Sequence, residues 1–224
     1  MPCSCCSPAA YSELFDEKQA RKDARRYRRK GLDKAARRIV SQLTGRGVVG
    51  ESVLEVGGGI GAIQIELLKA GAARATNVEL SPAYDAAARE LLAEQGLDDR
   101  VERRTGDFVD VAEQFEVADD VVLHRVVCCY PDVDALVGSA AAHARGRLVL
   151  TYPPDIALAR AINAGSNLYM RLRGSAFRSY VWPIAAIARA AEVHGFTRVA
   201  EERASLVWRM SAFERPSHGI DRSG

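Results

Sequence analysis

The stretch Val53-Leu54-Glu55-Val56-Gly57-Gly58-Gly59-Ile60-Gly61 joins a short apolar strand to a glycine-rich turn. Glycines allow a sharp turn and a close approach of the backbone to a ligand, where any Cβ would collide. A nucleotide-type binding site is therefore predicted at the end of this strand. The turn alone leaves the kind of nucleotide open, because Gly57, Gly59 and Ala62 also fit the loose dinucleotide fingerprint.

Strands and helices alternate along the chain, as they do in a parallel sheet with crossover helices. Apolar spacing and capping residues predict an α/β fold that closes with two adjacent strands. Strands are predicted at residues 52–56, 75–80, 101–105, 120–124, 147–152, 197–202 and 205–213. Helices are predicted at residues 12–30, 32–43, 60–70, 82–95, 133–144, 156–173 and 183–193.

Two acidic side chains at further strand ends narrow the choice of ligand. Glu79 ends the second strand, where a carboxylate accepts hydrogen bonds from both hydroxyls of a ribose in either kind of nucleotide site. Asp107 follows the third strand, where a dinucleotide fold has no recurrent need for an acceptor. At 224 residues the chain is also too short to add a dehydrogenase substrate domain. These features favour a smaller nucleoside that lies across the first three strand ends.

Taken together, Glu55-x-Gly57-x-Gly59-x-Gly61, Glu79, Gly106-Asp107 and the two closing strands resemble the class I S-adenosylmethionine-dependent methyltransferases, over residues 50–214. The resemblance implies a Rossmann-like seven-stranded sheet, mostly parallel with an antiparallel last strand and with helices on both faces. It also implies an enzyme that transfers a methyl group and binds its cofactor, S-adenosyl-L-methionine, along the carboxyl ends of the strands.

The resemblance further implies which positions contact the cofactor. Glu55 and the glycines that follow it surround the methionine part, and Glu79 binds the ribose. Asp107 and the backbone of Phe108 face the adenine. The complete set of implied cofactor-binding residues is Glu55, Gly57, Gly59, Gly61, Glu79, Leu80, Asp107 and Phe108. We predict no metal site.

Within the superfamily, the basic helix before the domain and Tyr130-Pro131 after the fourth strand are most similar to small methyltransferases of the magnesium-protoporphyrin and quinone-biosynthesis type. This similarity implies a small-molecule substrate. The segments 11–47 and 156–182 combine aromatic and apolar residues with arginines. We expect them to cover the active site and to suit an apolar or aromatic acceptor with an anionic group.

The loop that leaves the fourth strand supplies the candidate catalytic residues, His124 and Tyr130. A histidine there can take a proton from the acceptor, since its unperturbed pKa lies near neutrality. A purely structural role for His124, hydrogen-bonded to the backbone, stays open. Tyr130 is expected to form a wall of the acceptor pocket. Cys128 and Cys129 are expected to point to opposite sides of this loop, which disfavours joint binding of one ion.

Composition and length favour a single globular unit. Of the residues, 48% are apolar and 27% charged, and no stretch reaches the about 20 apolar residues of a membrane helix. Five cysteines, an odd and unevenly spread number, predict reduced thiols and a cytoplasmic location. The predicted organisation is a flexible tail at 1–10, covering basic helices at 11–47, a methyltransferase domain at 48–214 with a substrate-cap insertion at 156–182, and a tail at 215–224.

The net charge of +2 is unevenly distributed, because residues 11–40 hold 11 Lys or Arg against 5 Asp or Glu. This basic N-terminal segment could bind RNA, an anionic membrane surface or an acidic substrate, although a solvated helix face is the favoured interpretation. We therefore expect methyl transfer to a small molecule. The alternatives are a cofactor-binding regulatory or RNA-binding protein without turnover, and an NAD-dependent oxidoreductase.

Overall fold

A computed structural model of the protein describes residue 11 and residues 14–216. The predicted tail at 1–10 lies outside the described residues, as does the predicted tail at 215–224 apart from residues 215 and 216. The strands are β1 (Ser52–Val56), β2 (Arg74–Glu79), β3 (Val101–Thr105), β4 (Ala118–His124), β5 (Ala144–Tyr152), β6 (Thr197–Arg203) and β7 (Arg209–Glu214). The helices are α1 (Glu17–Lys30), α2 (Lys34–Thr44), α3 (Ala62–Lys69), α4 (Asp85–Gln95), α5 (Phe108–Val111), α6 (Val133–Ala142), α7 (Ala157–Leu172) and α8 (Ile184–Glu192).

The strands form one seven-stranded sheet in the order β3-β2-β1-β4-β5-β7-β6. β1 to β5 run parallel to one another, whereas β7 runs antiparallel to both β5 and β6. The predicted Rossmann-like α/β fold, with its antiparallel last strand, is confirmed. The chain order reverses direction across the sheet between β1 and β4, which opens a crevice at the carboxyl ends of these strands.

Element boundaries depart from the prediction where local hydrogen bonds override the apolar pattern. The last strand begins at Arg209 rather than at residue 205, because the amides of Ala204 and Ser205 both donate to the carbonyl of Trp208 at 2.9 Å and close a turn. The first described helix begins at Glu17, where the Asp16 side chain caps it by accepting from the Gln19 amide at 2.7 Å.

Both faces of the sheet are covered, which explains why its central strands are continuous apolar runs. All five residues of β1 are buried. Helices α1 to α4 pack against one face, and α6 and α8 pack against the other. From the arginine-rich α1, only Ala20, Ala24 and Tyr27 are buried. These three residues form a narrow apolar stripe that anchors α1 to the domain, and the basic residues lie on its exposed faces.

Helix α7 buries no side chain. Leu158 is 66% exposed and Ile162 64% exposed. Polar contacts tether the helix instead, because the side-chain amides of Asn163 and Asn167 both donate to the carbonyl of Ser179, at 2.9 and 2.7 Å. Neither α7 nor any other helix in the described ranges combines the length and apolarity that a membrane span requires.

A buried ion pair joins the two central parallel strands β4 and β5. Asp120 is fully buried, and its carboxylate accepts two hydrogen bonds from the Arg147 guanidinium, one of them at 2.7 Å. Burial raises the pKa of Asp120 to about 6, against the opposing effect of Arg147. Arg147 also donates to the carbonyl of Leu43 at 3.2 Å, so the pair fastens the end of α2 to the sheet.

We expect Asp120→Ala to lower the free energy of unfolding by about 3 to 5 kcal/mol, because it leaves the Arg147 charge buried and unpaired. Urea denaturation monitored by circular dichroism measures the change. Arg145→Ala is the matched control, since Arg145 is exposed and lies 3.5 Å from Asp119. It should change the free energy by at most about 0.5 kcal/mol. Equal effects of the two substitutions would contradict the assignment.

Candidate active site

A cavity of about 300 Å³ lies at the carboxyl ends of β1 to β4. One side is formed by the loops that follow these strands, and the other by the N-terminal segment with α1 and α2. Both predicted catalytic residues and all but one of the predicted cofactor residues line this cavity. The exception is Gly61, which lies behind the turn as the left-handed N-cap of α3.

The glycine turn forms the floor of the cavity and has no room for side chains. A Cβ at Gly57, where φ is +64°, would come within 2.5 Å of Val126 Cγ2. A Cβ at Gly58 would come within 2.1 Å of Asn77 Nδ2. The backbone is therefore held between the loop after β4 and a buried polar group on β2. This leaves bare peptide groups facing the cavity, as a closely approaching ligand requires.

Glu79 ties the glycine turn to the end of β2. One carboxylate oxygen accepts from the Gly59 amide at 2.8 Å, and the other accepts from the Ser81 amide at 2.9 Å. Burial raises the pKa of Glu79, although these amides oppose the shift. A carboxylate has about four acceptor positions, so two remain for a ligand in the cavity.

Glu55 lies beneath the turn and is 2% exposed. Burial raises the pKa of its carboxyl group to about 8, and the Gln64 amide, donating at 3.4 Å, opposes this only in part. Glu55 is therefore protonated at neutral pH in the chain without a ligand. A cation placed in the cavity would favour the ionised form and draw the proton away. Arg103 also stabilises this layer, because its guanidinium donates to the Gly59 carbonyl at 3.1 Å and is 3.1 Å from Asp85.

Asp107 caps the short helix α5 by accepting from the Val109 amide at 3.0 Å. Its other oxygen accepts from the Tyr130 hydroxyl at 3.3 Å. Burial raises the pKa of Asp107. Asp107 and Tyr130 are thus in contact, and Tyr130 connects the loop after β4 to the predicted adenine side of the cavity. Trp182 fixes the backbone of Tyr130 by donating to its carbonyl at 3.2 Å.

His124 is held at the end of β4 by Thr151. Its Nδ1 lies 2.9 Å from Thr151 Oγ1, which also accepts from the Arg125 amide at 3.0 Å. Burial, assisted by the nearby Arg125 charge, lowers the pKa of His124 to about 4. The Asp33 carboxylate, whose Oδ2 lies 4.0 Å from His124 Nε2, opposes this shift. A hydroxyl oxygen can accept two hydrogen bonds, so Thr151 can hold Nδ1–H and leave the Nε2 lone pair toward the cavity.

Asp33 and Arg125 were missed by the sequence analysis, and they join the N-terminal helices to this site. The Asp33 carboxylate caps α2 by accepting from the Ala35 and Ala36 amides, and it pairs with Arg125 at 2.6 Å. Burial alone would raise the pKa of Asp33, but the Ala36 amide and Arg125 lower it overall. Arg26 of α1 adds a longer ion pair at 3.5 Å. The cap itself has a sequence signal, because Asp33 directly precedes a helical pattern.

Arg125 is the non-glycine residue with positive φ, at 62°, among the described residues. This conformation is costly for a long side chain, and it persists only where the surroundings enforce it. The ion pair with Asp33, the hydrogen bond to Thr151 and the Trp208 ring, 5.0 Å from the guanidinium carbon, all do so. The conformation directs the guanidinium into the cavity wall.

Aromatic residues close the cavity next to the N-terminal helices. Tyr11 and Phe15 line it, and their rings lie 5.8 Å apart. Phe177 packs behind both at 5.5 and 6.1 Å. Within the described residues, none of the cavity lining comes from the predicted cap at 156–182, which contributes instead to the layer behind the lining.

The two cysteines of the β4 loop lie on one side, contrary to the expectation. Their sulfur atoms are 3.6 Å apart, and both thiols contact the Arg125 carbonyl, at 3.5 and 3.6 Å. The alternation of an extended strand does not apply, because residues Val127–Cys129 form a 3₁₀ turn.

Comparison with known proteins settles the family. The family model described as "Methyltransferase domain" matches residues 24–201. The chain belongs to this family. The predictions of a methyltransferase and of S-adenosylmethionine as its cofactor are confirmed by this membership, which sets aside the NAD-dependent oxidoreductase. A search of curated protein sequences finds no match.

Solved structures of methyltransferases share the fold of the chain. Magnesium protoporphyrin IX methyltransferase from Synechocystis PCC 6803, with bound S-adenosylmethionine, superposes with a TM-score of 0.64 at 20% identity, covering 81% of this chain and 78% of that one. Geranyl diphosphate C-methyltransferase from Streptomyces coelicolor A3(2), in complex with Mg²⁺, geranyl diphosphate and S-adenosylhomocysteine, has a TM-score of 0.62 at 14% identity, covering 80% and 78%.

The residues of this methyltransferase fit S-adenosylmethionine. The cofactor carries a sulfonium and an ammonium group, and the carboxyl groups of Glu55, Glu79 and Asp107 lie along the strand ends that line the cavity. Gly57, Gly58 and Gly59 line the cavity with backbone alone, so a ligand can approach their peptide groups closely. Among the described residues, no group of three or more candidate metal ligands lies together.

We expect the His124 ring of this methyltransferase to stay neutral from pH 8 down to about pH 5, because its folded pKa is about 4. The unfolded chain takes up the proton near pH 6.5, so this group's contribution to stability is present above pH 6.5 and is lost as the pH falls toward 4. Nuclear magnetic resonance titration measures the folded pKa, with His124→Gln to assign the signal. Asp33→Asn should lower the pKa further. A midpoint near 6.5 would show that the ring is solvated.

Proposed function

We propose that the protein transfers a methyl group from S-adenosylmethionine to an apolar or aromatic small molecule that carries an anionic group. The observation that carries this proposal is the asymmetry of the cavity. Bare backbone and the carboxyl groups of Glu55, Glu79 and Asp107 lie at the ends of β1 to β3. Aromatic side chains and Arg26 lie on the side of α1 and α2, next to the carboxylates of Asp23 and Asp33, while Arg125 and Tyr130 lie in the loop after β4. The first side suits the cationic donor, and the second suits the acceptor.

The donor side assigns one role to each strand end. Glu55 and the turn at 57–59 would hold the methionine part, and ionisation of Glu55 would accompany binding of the positive charge. Glu79 would use its two remaining acceptor positions for the ribose hydroxyls. Asp107, together with the backbone of Phe108, would face the adenine. S-adenosylmethionine supplies an electrophilic methyl group on a sulfonium.

The acceptor side is formed by Tyr11, Phe15, Tyr130, Arg26 and Arg125. Aromatic rings bury an apolar acceptor, while a guanidinium binds a carboxylate with two parallel hydrogen bonds. Both arginines are now paired with Asp33. An anionic group on the acceptor would compete with Asp33 for them, so the pocket favours an anion over a neutral analogue.

Alignment and exclusion of water account for most of the chemistry expected of this chain. An in-line displacement gains several kcal/mol when the reacting atoms are held in a near-attack geometry. The N-terminal aromatics and Tyr130 close the cavity around that line. His124 is a weak base because burial lowers its pKa and the Arg125 charge lowers it further. An acceptor anion that draws the Arg125 charge to itself would leave Asp33 to raise the basicity of His124, so proton removal would be coupled to acceptor binding.

Glu79→Ala should weaken binding of S-adenosylmethionine by about 10- to 150-fold, because charge-assisted hydrogen bonds to the ribose are worth about 1.5 to 3 kcal/mol. Isothermal titration calorimetry measures the affinity, and thermal unfolding checks the fold. Asp107→Ala should have a smaller effect, because Asp107 would face the adenine alone, whereas Glu79 would accept from both ribose hydroxyls. If neither substitution changes the affinity of a folded protein, the assigned donor site is wrong.

The acceptor can be identified by incubating cell extract with isotopically labelled S-adenosylmethionine and the protein, and then characterising the labelled product. We expect a small anionic molecule rather than RNA or protein. With that acceptor, His124→Gln should lower turnover by about 10²- to 10⁴-fold when a proton must be removed, and it should leave cofactor affinity unchanged. Glutamine can keep the hydrogen bond to Thr151. Full activity of the variant would make His124 structural.

A further inference from the structure

The paired thiols of Cys128 and Cys129 have no role in the proposed methyl transfer, yet their geometry is that of a chelating pair. The sulfur atoms are 3.6 Å apart, and both cysteines are free. A pyramidal three-coordinate centre bonded to two sulfurs at about 2.3 Å, with an angle of about 100° between the bonds, holds them about 3.5 Å apart. The sulfurs therefore need to move by only a few tenths of an ångström to share one centre.

The turn that carries the pair is fixed from both sides before any ligand arrives. The Tyr11 hydroxyl donates to the Cys129 carbonyl, and the Tyr180 amide donates to the Cys128 carbonyl at 2.7 Å. Cys129 lines the active-site cavity, and Cys128 is buried directly behind it, so a ligand would reach the pair from the Cys129 side. A fixed pair loses little conformational freedom on binding, which raises affinity for a two-point ligand.

The chemistry of the site selects the class of ligand. Thiolates prefer soft, thiophilic centres. In the described part of the chain, no third histidine, cysteine or carboxylate completes a cluster of metal ligands. A tetrahedral ion with only protein ligands is therefore not accommodated, whereas a trivalent metalloid that brings its own third substituent is.

We propose that Cys128 and Cys129 form a dithiol site, opening on the active-site cavity, that captures trivalent arsenic centres. In the capture step two As–O bonds of an arsonous acid, R–As(OH)₂, and two S–H bonds break, and two As–S bonds form. Two water molecules leave, and no atom changes its oxidation state. The substituent R then occupies the cavity. The hydrogen bond from the Cys129 thiol lowers the pKa of Cys128, while the same contact and burial raise the pKa of Cys129. Cys128 would therefore supply the attacking thiolate, and the Cys129 thiol would form the second bond.

Phenylarsine oxide, which hydrates to such an acid, tests the proposal on the full chain. The background variant carries Cys3→Ser, Cys5→Ser and Cys6→Ser, so that only the paired cysteines can react. Intact mass spectrometry should show one phenylarsenic group per chain and loss of both free thiols. The adduct should survive excess 2-mercaptoethanol and be removed by a dithiol, because only a second dithiol matches the chelate.

Cys128→Ser and Cys129→Ser in the same background each leave one thiol. The apparent affinity for phenylarsine oxide should then fall by at least about 10²-fold, since the second bond of a chelate forms intramolecularly. Calorimetric binding of S-adenosylmethionine confirms that each variant is folded. Failure of the paired protein to bind the reagent would overturn the proposal. So would equal affinity of the paired protein and a single-thiol variant, or displacement of the adduct by the monothiol. None of these outcomes bears on methyl transfer, so the two proposals fail separately.

Discussion

The structure depends on one steric constraint, which is that the backbone at Gly57 and Gly58 passes between two walls and cannot carry side chains. Val126 lies on one side, and Asn77 with Glu55 lies on the other. Side chains hydrogen-bond directly to the peptide groups of this turn. Glu79 accepts from the Gly59 amide, and Arg103 donates to the Gly59 carbonyl. The position of the turn then determines where β1 ends, where α3 begins and which strand ends face the cavity.

A second set of contacts makes the cavity depend on the N-terminal helices. Asp33 serves at once as the cap of α2 and as the partner of Arg125 in the loop after β4. Tyr11 reaches the same loop through the Cys129 carbonyl. The N-terminal helices are therefore part of the cavity wall. A substitution in the α1–α2 turn can change the chemistry at the end of β4 without altering the sheet.

The sequence predicts well those features that local rules determine. The end of each parallel strand lies at one edge of the sheet, so Glu79 and Asp107 could be placed together from their positions alone. Contacts between distant segments have no such rule: Asp33 and Arg125 are far apart in the chain, and their pairing needs the folded helices. The prediction that Cys128 and Cys129 point to opposite sides was wrong, because it rests on the alternation of an extended strand. Residues Val127–Cys129 form a 3₁₀ turn instead. The assigned roles of His124 and Tyr130 stay predictions.

Helix α7 has a consequence for how the protein moves. Most of the stability of a helix comes from the apolar surface that it buries, and α7 buries no side chain, holding to the domain through Asn163 and Asn167. We therefore expect its opening to cost less free energy than opening of the sheet. Ser179, to which it is tethered, precedes the Tyr180 amide that holds Cys128. Local unfolding of α7 would therefore loosen the contacts around Ser179 and Tyr180 while the strands keep their register.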